Sequence, residues 1–473
     1  MKRALIITYY WPPAGGSGVQ RWLKFTKYLR EFGYEPVIYT PENPEFMALD
    51  KSLEAEIPEG VEVIKRKIWE PYSLYKKFTG KKEGMKPGFL SSSSAGSKSK
   101  GVSSGKKQEK ISFKEKLSLF IRSNLFFPDP KMFWIGPSVR FLKKYLAKQE
   151  NKIDVIITTG PPHSMHIIGR RVSKATSVPW IADFRDPWTM MYNFKYMGYT
   201  SLLKRKHKKA ERRVLNSADV VVTVTETICA ELETIMQEEK VATQIGETDN
   251  KESGVARKEC EKKVFVVTNG YDEADFAASA PPLDHNFTLT FTGLFVKSQN
   301  THNLWKVLGE MISADTTFAS DLRIKLIGHI DATILEDISA FGLGKNLILM
   351  GYTPHDQVVE YQRSAQLLLL SVGSEPEAKG ILTGKFFEYL AARRPILAFG
   401  IKGGDIDIAL EECCAGIMLP YNNESDLRER IESYYKEFKN SEIPYTSGPI
   451  EQYSRRVLAQ KMAGVMDSCQ IRE

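Results

Sequence analysis

Residues 380–400, GILTGKFFEYLAARRPILAFG, gather the side chains best suited to chemistry. Thr383 and Gly384 form a small-residue turn, and the helix expected behind them carries Lys385 and Glu388. Backbone N–H groups at a helix start can receive a phosphate, aided by the positive end of the helix dipole. Lys385 adds a point charge to the same anion site. Glu388 stands at i+3, on the helix face that holds Lys385, and its carboxylate can accept two hydroxyls of a ribose. The stretch reads as a seat for a sugar nucleotide. The competing reading is an ordinary surface ion pair, which contributes well under about 1 kcal/mol.

Apolar runs of strand length alternate with helical patterns around this stretch. One series falls at 4–9, 36–39, 61–64, 155–159, 180–182, 220–224 and 264–267, and a second at 287–292, 324–327, 347–350, 367–371, 396–399 and 417–419. Short, nearly uniform apolar strands separated by helices predict parallel sheets covered on both faces. Two such series predict an α/β chain of two doubly wound, Rossmann-like domains. The Pro/Ala-rich junction at 277–286 separates them, giving expected domains over 1–278 and 285–450. A C-terminal helix over 451–473 is expected to pack back on the first domain. Two polar stretches, 80–110 and 237–263, are expected to be mobile insertions, because they have too little apolar surface to offset the entropy of ordering.

The chain has 473 residues, 42% hydrophobic, with a formal charge of +8. That length exceeds a single core and calls for two domains. No run of about 18 apolar residues exists, so no transmembrane helix is expected, and the N-terminal apolar run is too short for a signal peptide. Cys229, Cys260, Cys413, Cys414 and Cys469 are odd in number and lack metal-ligand spacing, which fits a reducing cytoplasm. Positive charge concentrates in KRKHKKAERR at 204–213 and again through 98–110. An anionic membrane surface is the partner such a run would attract; a solvated helix face is the competing reading. No nucleic-acid-binding signature accompanies the charge.

Two segments of the first domain hold further polar groups. The turn WPPAGGSGVQRW places Gly15, Gly16 and Gly18 after the first strand. The dinucleotide spacing GxGxxG is absent, but flexible backbone there lies at the carboxyl edge of the sheet, where open α/β sheets bind ligands. In WIADFRDPW, Asp183 and Asp186 flank Arg185 beyond a strand end. The trio reads either as an acceptor-hydroxyl site, with an aspartate as base or orienting group, or as an internal Arg–Asp clamp. His163 follows another strand, in TTGPPHSMH. Its titration range suits proton transfer, and a structural role is the alternative.

Read in order, these motifs resemble glycosyltransferase family 4, retaining enzymes of the GT-B architecture with two Rossmann-like domains facing across a cleft. The matching residues are Gly15 and Gly16, the segment SADVVVTVTE at 217–226, Asn269-Gly270-Tyr271-Asp272, Gly293, Leu326-Ile327-Gly328, the segment 350–366 and the segment 403–420. The resemblance covers nearly the whole chain apart from the two insertions. It implies that Glu388 holds the donor ribose, that Arg185 stands where the family places a histidine near the reacting sugar, and that Lys297 is the lysine after the second domain's first strand. Gly380 stands where the first of two signature glutamates would be, with Glu375 and Glu377 nearby, and Leu294 stands in place of an arginine. Gln366 replaces an acid, and Lys385 supplies part of the missing charge.

The function implied is a hexosyltransferase-like, retaining, metal-independent glycosyltransferase, cytoplasmic or peripheral on the inner membrane face. Its donor is a nucleotide sugar, held by Gly15, Gly16, Lys297, Thr383, Gly384, Lys385 and Glu388 as a substrate rather than a cofactor. Its acceptor is a growing polysaccharide or lipid-linked glycan. The Asp-x-Asp at 405–407 falls in a loop whose family counterpart binds no metal. Two alternatives share the fold: a nucleotide-sugar epimerase, and a non-catalytic protein that binds a nucleotide sugar or glycan.

Overall fold

Short apolar strands build two all-parallel sheets in the computed structural model, which describes residues 1–46, 48–70, 124–148, 150, 152–246, 263–442 and 448–469. The chain divides into unit 1, Met1–Val267 with Ala459–Glu473, and unit 2, Thr268–Leu458.

Unit 1 contains β1 (Lys2–Ile7), β2 (Tyr34–Pro41), β3 (Glu62–Arg66), β4 (Val155–Gly160), β5 (Trp180–Phe184), β6 (Val220–Thr223) and β7 (Val264–Val266). Its helices are α1 (Ser17–Tyr28), α2 (Met132–Leu146), α3 (Ser164–Thr176), α4 (Ser201–Ser217) and α5 (Glu226–Gly246). The seven strands lie in the order β3-β2-β1-β4-β5-β6-β7, all parallel. Central strands β4 and β5 are buried at every position, whereas edge strand β3 has only exposed and half-buried residues. Continuous apolar runs are what a parallel sheet covered on both faces requires.

Unit 2 contains β8 (Phe287–Phe295), β9 (Leu322–Ile330), β10 (Leu347–Met350), β11 (Leu367–Ser371), β12 (Ile396–Phe399) and β13 (Gly416–Leu419). The helices are α6 (His302–Ala314), α7 (Thr316–Asp321), α8 (Ala332–Ala340), α9 (His355–Ser364), α10 (Gly384–Ala392), α11 (Asp405–Glu412), α12 (Glu424–Lys439) and α13 (Arg455–Asp467), the last of which starts in unit 2 and runs into unit 1. The order β10-β9-β8-β11-β12-β13 is again all parallel. Both sheets reverse direction of growth beside their first strand, which is the doubly wound α/β plan expected from the sequence.

Three boundaries differ from the sequence expectation. Unit 2 begins at Thr268, ahead of the Pro/Ala-rich junction at 277–286. The cause is a tether within unit 2: the Tyr271 amide donates to Tyr453 O (3.1 Å), and the Arg455 amide donates to Tyr271 O (2.8 Å). Ala459 onward belongs to unit 1, where Lys2 and Tyr34 both contact Asp467, at 2.6 and 2.8 Å. Helix α5 runs to Gly246, into the expected insertion at 237–263. Its sequence ETICAELETIMQEEKVATQIG is rich in strong helix formers and meets no glycine before Gly246. The expected insertion at 80–110 lies outside the described residues.

Candidate functional site

The amphipathic pattern of α10 turns Phe386, Phe387, Tyr389 and Leu390 into the core of unit 2 and leaves Lys385 and Glu388 half-buried. Thr383 is its extended N-cap, yet the hydroxyl caps nothing and is buried without a partner. Gly384 has nothing within 4 Å of the place a Cβ would occupy. The first-turn amides of a helix lack a partner four residues back; here the Phe386 amide donates to Thr383 O (3.1 Å), and those of Gly384 and Lys385 stand under an open approach.

The surface ion pair is not formed. Among the described residues, no ion pair joins Lys385 to Glu388; each is held elsewhere. Lys385 Nζ sits 3.9 Å from the centroid of the Phe291 ring and 3.5 Å from Leu294 O. Glu388 Oε2 accepts a 2.9 Å hydrogen bond from Gln362 Nε2. Burial pushes the Lys385 ammonium down to about 7 against the opposing pull of Glu388. A lysine held off its neighbouring carboxylate and partly desolvated is primed to gain an anionic partner.

The end of β8 completes this region. Gly293 has φ +98°, and a Cβ there would lie 3.6 Å from Lys385 Nζ. Gly328, its register partner on β9, has φ +116°, and a side chain on it would run into Gly293 O at 2.3 Å. Only glycine meets both demands. Leu294 is exposed, and Lys297 opens the turn Lys297–Gln299, also exposed. Glu375 is exposed ahead of the turn Pro376–Gly380, whose last residue, Gly380, is buried. The Asp-x-Asp opens α11 rather than lying in a loop, and Asp407 is tied to the turn before the helix, accepting from the Gly403 amide (2.8 Å) and Lys402 (3.3 Å). Among the described residues, no three His, Cys, Asp or Glu side chains group as a metal site.

In unit 1 the WIADFRDPW segment splits the two aspartates. Asp183 ends inside β5, fully buried, and corrects the expectation that it contacts an acceptor. Arg21 Nη2 lies 2.9 Å from Asp183 Oδ1, both side chains 0% exposed, and Trp22 Nε1 donates to Oδ2 at 2.8 Å. Burial opposes ionisation, but the Arg21 guanidinium and the Trp22 donor outweigh it and hold the carboxyl below its usual range. The clamp is real, with Arg21 of α1 rather than Arg185 as its cation. Arg185 instead donates to Gly18 O (2.8 Å) and Pro161 O (3.2 Å), and its Nε stands 3.6 Å from Asp186. The Asp186 side chain is 48% exposed.

His163 is also corrected. Its ring stacks on Trp188 with centroids 4.4 Å apart and planes 2° from parallel. Burial, backed by His166, His207 and Arg185, pushes its pKa well below 6.5. It stays neutral and serves packing. Trp188 is fixed on its other side by His207 Nδ1 (3.0 Å) and Glu211 (3.2 Å). Gly15 spends its small size on the protein: its amide donates to Ala48 O, and a Cβ would lie 3.3 Å from that of Asp50. Gly16, the N-cap of α1, is exposed with φ +92° and open space around it.

The sequence reading missed Gln362, Thr292, Phe291 and Tyr10. Gln362 carried one signal, a polar residue one turn after Val359 on the buried stripe of α9. Tyr10 left none: its ring lies 5.9 Å from the Arg185 guanidinium, and a Cβ on Gly18 would meet it at 3.3 Å.

Residues 126–243, within unit 1, match the model of the glycosyl transferase 4-like domain. The chain has a GT-B fold. Compared by sequence with curated proteins, it has no match. Among solved structures it is similar to a glycosyltransferase from Rickettsia africae, at 13% identity and TM-score 0.55 over 99% of this chain and 98% of that one. It is similar to Anabaena HepE in complex with UDP-glucose, at 12% identity and TM-score 0.55 over 99% and 100% of the two chains. A putative UDP-N-acetylglucosamine 2-epimerase from Listeria monocytogenes shares the fold at 11% identity and TM-score 0.50, over 99% and 96%. Within this GT-B fold, the α10 start and the β8 end lie in unit 2, while the family match lies in unit 1.

Proposed function

We propose that this chain is a retaining glycosyltransferase that moves a sugar from a nucleotide-sugar donor, in the first instance a UDP-sugar, to a growing polysaccharide or lipid-linked glycan. The observation that carries the reading is the separation of Lys385 from Glu388 at the start of α10. Glu388 would accept the ribose hydroxyls; Lys385, the first-turn amides and exposed Lys297 would take the diphosphate and stabilise it as leaving group without a metal ion. Asp186, exposed in a loop fixed through Trp188, would orient or deprotonate the acceptor hydroxyl. No protein nucleophile is assigned.

The basic face of α4 would hold the enzyme at an anionic inner leaflet. Arg205, Lys206, Lys208, Lys209 and Arg213 are exposed, and Leu202 on the same helix is 79% exposed. No helix among the described residues is long and apolar enough to cross a membrane.

Calorimetric titration tests the donor assignment. Glu388→Gln should weaken uridine and UDP alike, by roughly ten- to a hundredfold. Lys385→Met should weaken UDP and leave uridine nearly untouched. Unchanged affinities in both variants would return the pair to an incidental surface role. The epimerase alternative, favoured by the likeness to the Listeria structure, separates by product: an epimerase converts the donor sugar with no acceptor present.

A further inference from the structure

We infer that Gln362 is a positioning residue for Glu388, and that it keeps the carboxylate turned to a diol ligand by preventing its collapse onto Lys385. The inference rests on the donor-site reading of Glu388 and deepens it.

Gln362 is fully buried on α9, and its amide nitrogen bridges two elements. Nε2 donates to Glu388 Oε2 on α10 at 2.9 Å and to Thr292 Oγ1 on β8 at 3.1 Å. Both amide hydrogens are thereby used. The orientation of the amide follows from chemistry: an ionised carboxylate only accepts, so the nitrogen and not the oxygen must face it. This choice leaves Gln362 Oε1 buried with no partner. A buried acceptor without a donor is costly, so the contact with Glu388 is kept at the expense of the rest of the side chain.

The bridge is itself anchored. Thr292 donates its amide to Tyr389 OH at 2.9 Å, and the two hydroxyls stand 3.3 Å apart. Tyr389 is fully buried and follows Glu388 directly in α10. The residue before the helix position of Glu388 and the residue after it are both core side chains, so the backbone beneath the carboxylate is fixed. What remains free is the side-chain torsion of Glu388, and Gln362 sets it.

Lys385, three residues earlier on the same helix, is the alternative partner that geometry offers Glu388. An intact Lys385–Glu388 pair would occupy one group meant for hydroxyls and one meant for phosphate. Gln362 on one side, and Phe291 with Leu294 O on the other, keep the two apart. Gln362 takes only Oε2, so Oε1 remains to accept a second hydroxyl.

Gln362→Met preserves length and removes the donor. Titrated with uridine and with UDP, it should lose about tenfold in affinity for uridine and should also weaken UDP beyond that loss, because the released carboxylate pairs with Lys385. In the Gln362→Met/Glu388→Gln double variant, the uridine affinity should equal that of Glu388→Gln alone, since Gln362 acts only through Glu388. Gln362→Glu, which sets two carboxylates against each other, should weaken uridine at alkaline pH and recover toward the unmodified protein as the pH is lowered and the pair takes up one proton.

Wild-type uridine affinity in Gln362→Met would overturn the inference while leaving the donor site intact, provided Glu388→Gln remains weak. Full additivity in the double variant would overturn it as well. If Glu388→Gln itself binds uridine normally, or if the unmodified protein binds no UDP, the donor-site reading falls and the inference falls with it. A Gln362→Met protein that melts lower yet binds uridine normally would assign Gln362 to packing alone.

Discussion

Segments 180–188 and 380–388 carry the same kinds of group, acid and base beyond a buried element, and the two treat them in opposite ways. In unit 1 the charges are closed among themselves: Asp183 is locked to Arg21 with neither exposed, and Arg185 spends its guanidinium on two backbone carbonyls. In unit 2 two opposite charges one helical turn apart are kept from meeting, each held by a group of lower affinity than the other would be. A satisfied pair supports the fold; a pair held apart is available to a ligand. Proximity in sequence does not separate these cases. The identity of the third partner does.

The comparison breaks most visibly at Asp183. Asp183→Asn strands the buried Arg21 charge, and losing one partner of such a pair costs about 3–5 kcal/mol. For a unit of this size the melting temperature should fall on the order of 10 °C. An unchanged thermal scan would show that the clamp does not support the sheet. Asp186→Asn should act on the other axis, leaving the melting temperature nearly unchanged while turnover drops by about 10²–10⁴-fold, the usual worth of a general base. Equal loss of stability in both variants would make them one clamp.

The open pair in unit 2 is sharpened by pH. Burial depresses Lys385 to about 7 in the folded protein, below its ordinary 10.5. Between those values the unfolded chain binds more protons than the folded one, so ligand-free stability should rise with pH across that window. A diphosphate restores the charge. UDP binding at pH 8 should therefore take up close to one proton, read from the dependence of the binding enthalpy on buffer ionisation heat, and UDP affinity should fall above pH 7 while uridine affinity does not. Binding without proton uptake would place the phosphates away from Lys385. The smallest effect per residue belongs to α4: replacing Lys204, Arg205, Lys208 and Lys209 with Gln should weaken sedimentation with anionic vesicles by about 1 kcal/mol per charge. Indifference of the unmodified protein to such vesicles at low salt would end the membrane assignment.

The strands were legible because each is a short apolar run between helical patterns, and that signal is local. Leu347–Met350, Leu367–Ser371 and Ile396–Phe399 coincide with their apolar runs residue for residue. The α10 start was legible for the same reason, since turn, lysine and glutamate lie within six positions of one another. The partners were not. Arg21 and Asp183 are 162 positions apart, and Gln362 and Glu388 are 26 apart on different helices. Strand order brings them together, and no periodicity encodes it. The Asp183 misreading followed directly: Asp183 lies within β5, which is buried on both faces, whereas Arg185 lies just beyond the strand's end.

Helix α13 has a consequence for the order in which the molecule can be completed. Unit 1 is made from both ends of the sequence, and Lys2 and Tyr34 meet Asp467 only after every residue of unit 2 has been synthesised. Ala459 and Met462, both fully buried, arrive just as late. Unit 2 is continuous in the chain and can close as soon as its own strands have left the ribosome. The first-made sheet must wait, with the ground for α13 uncovered, for the last-made helix. At the 5–20 residues per second typical of synthesis, that interval of roughly 200 residues is about ten to forty seconds, and during it the amino-terminal half is the part of the nascent chain most in need of protection.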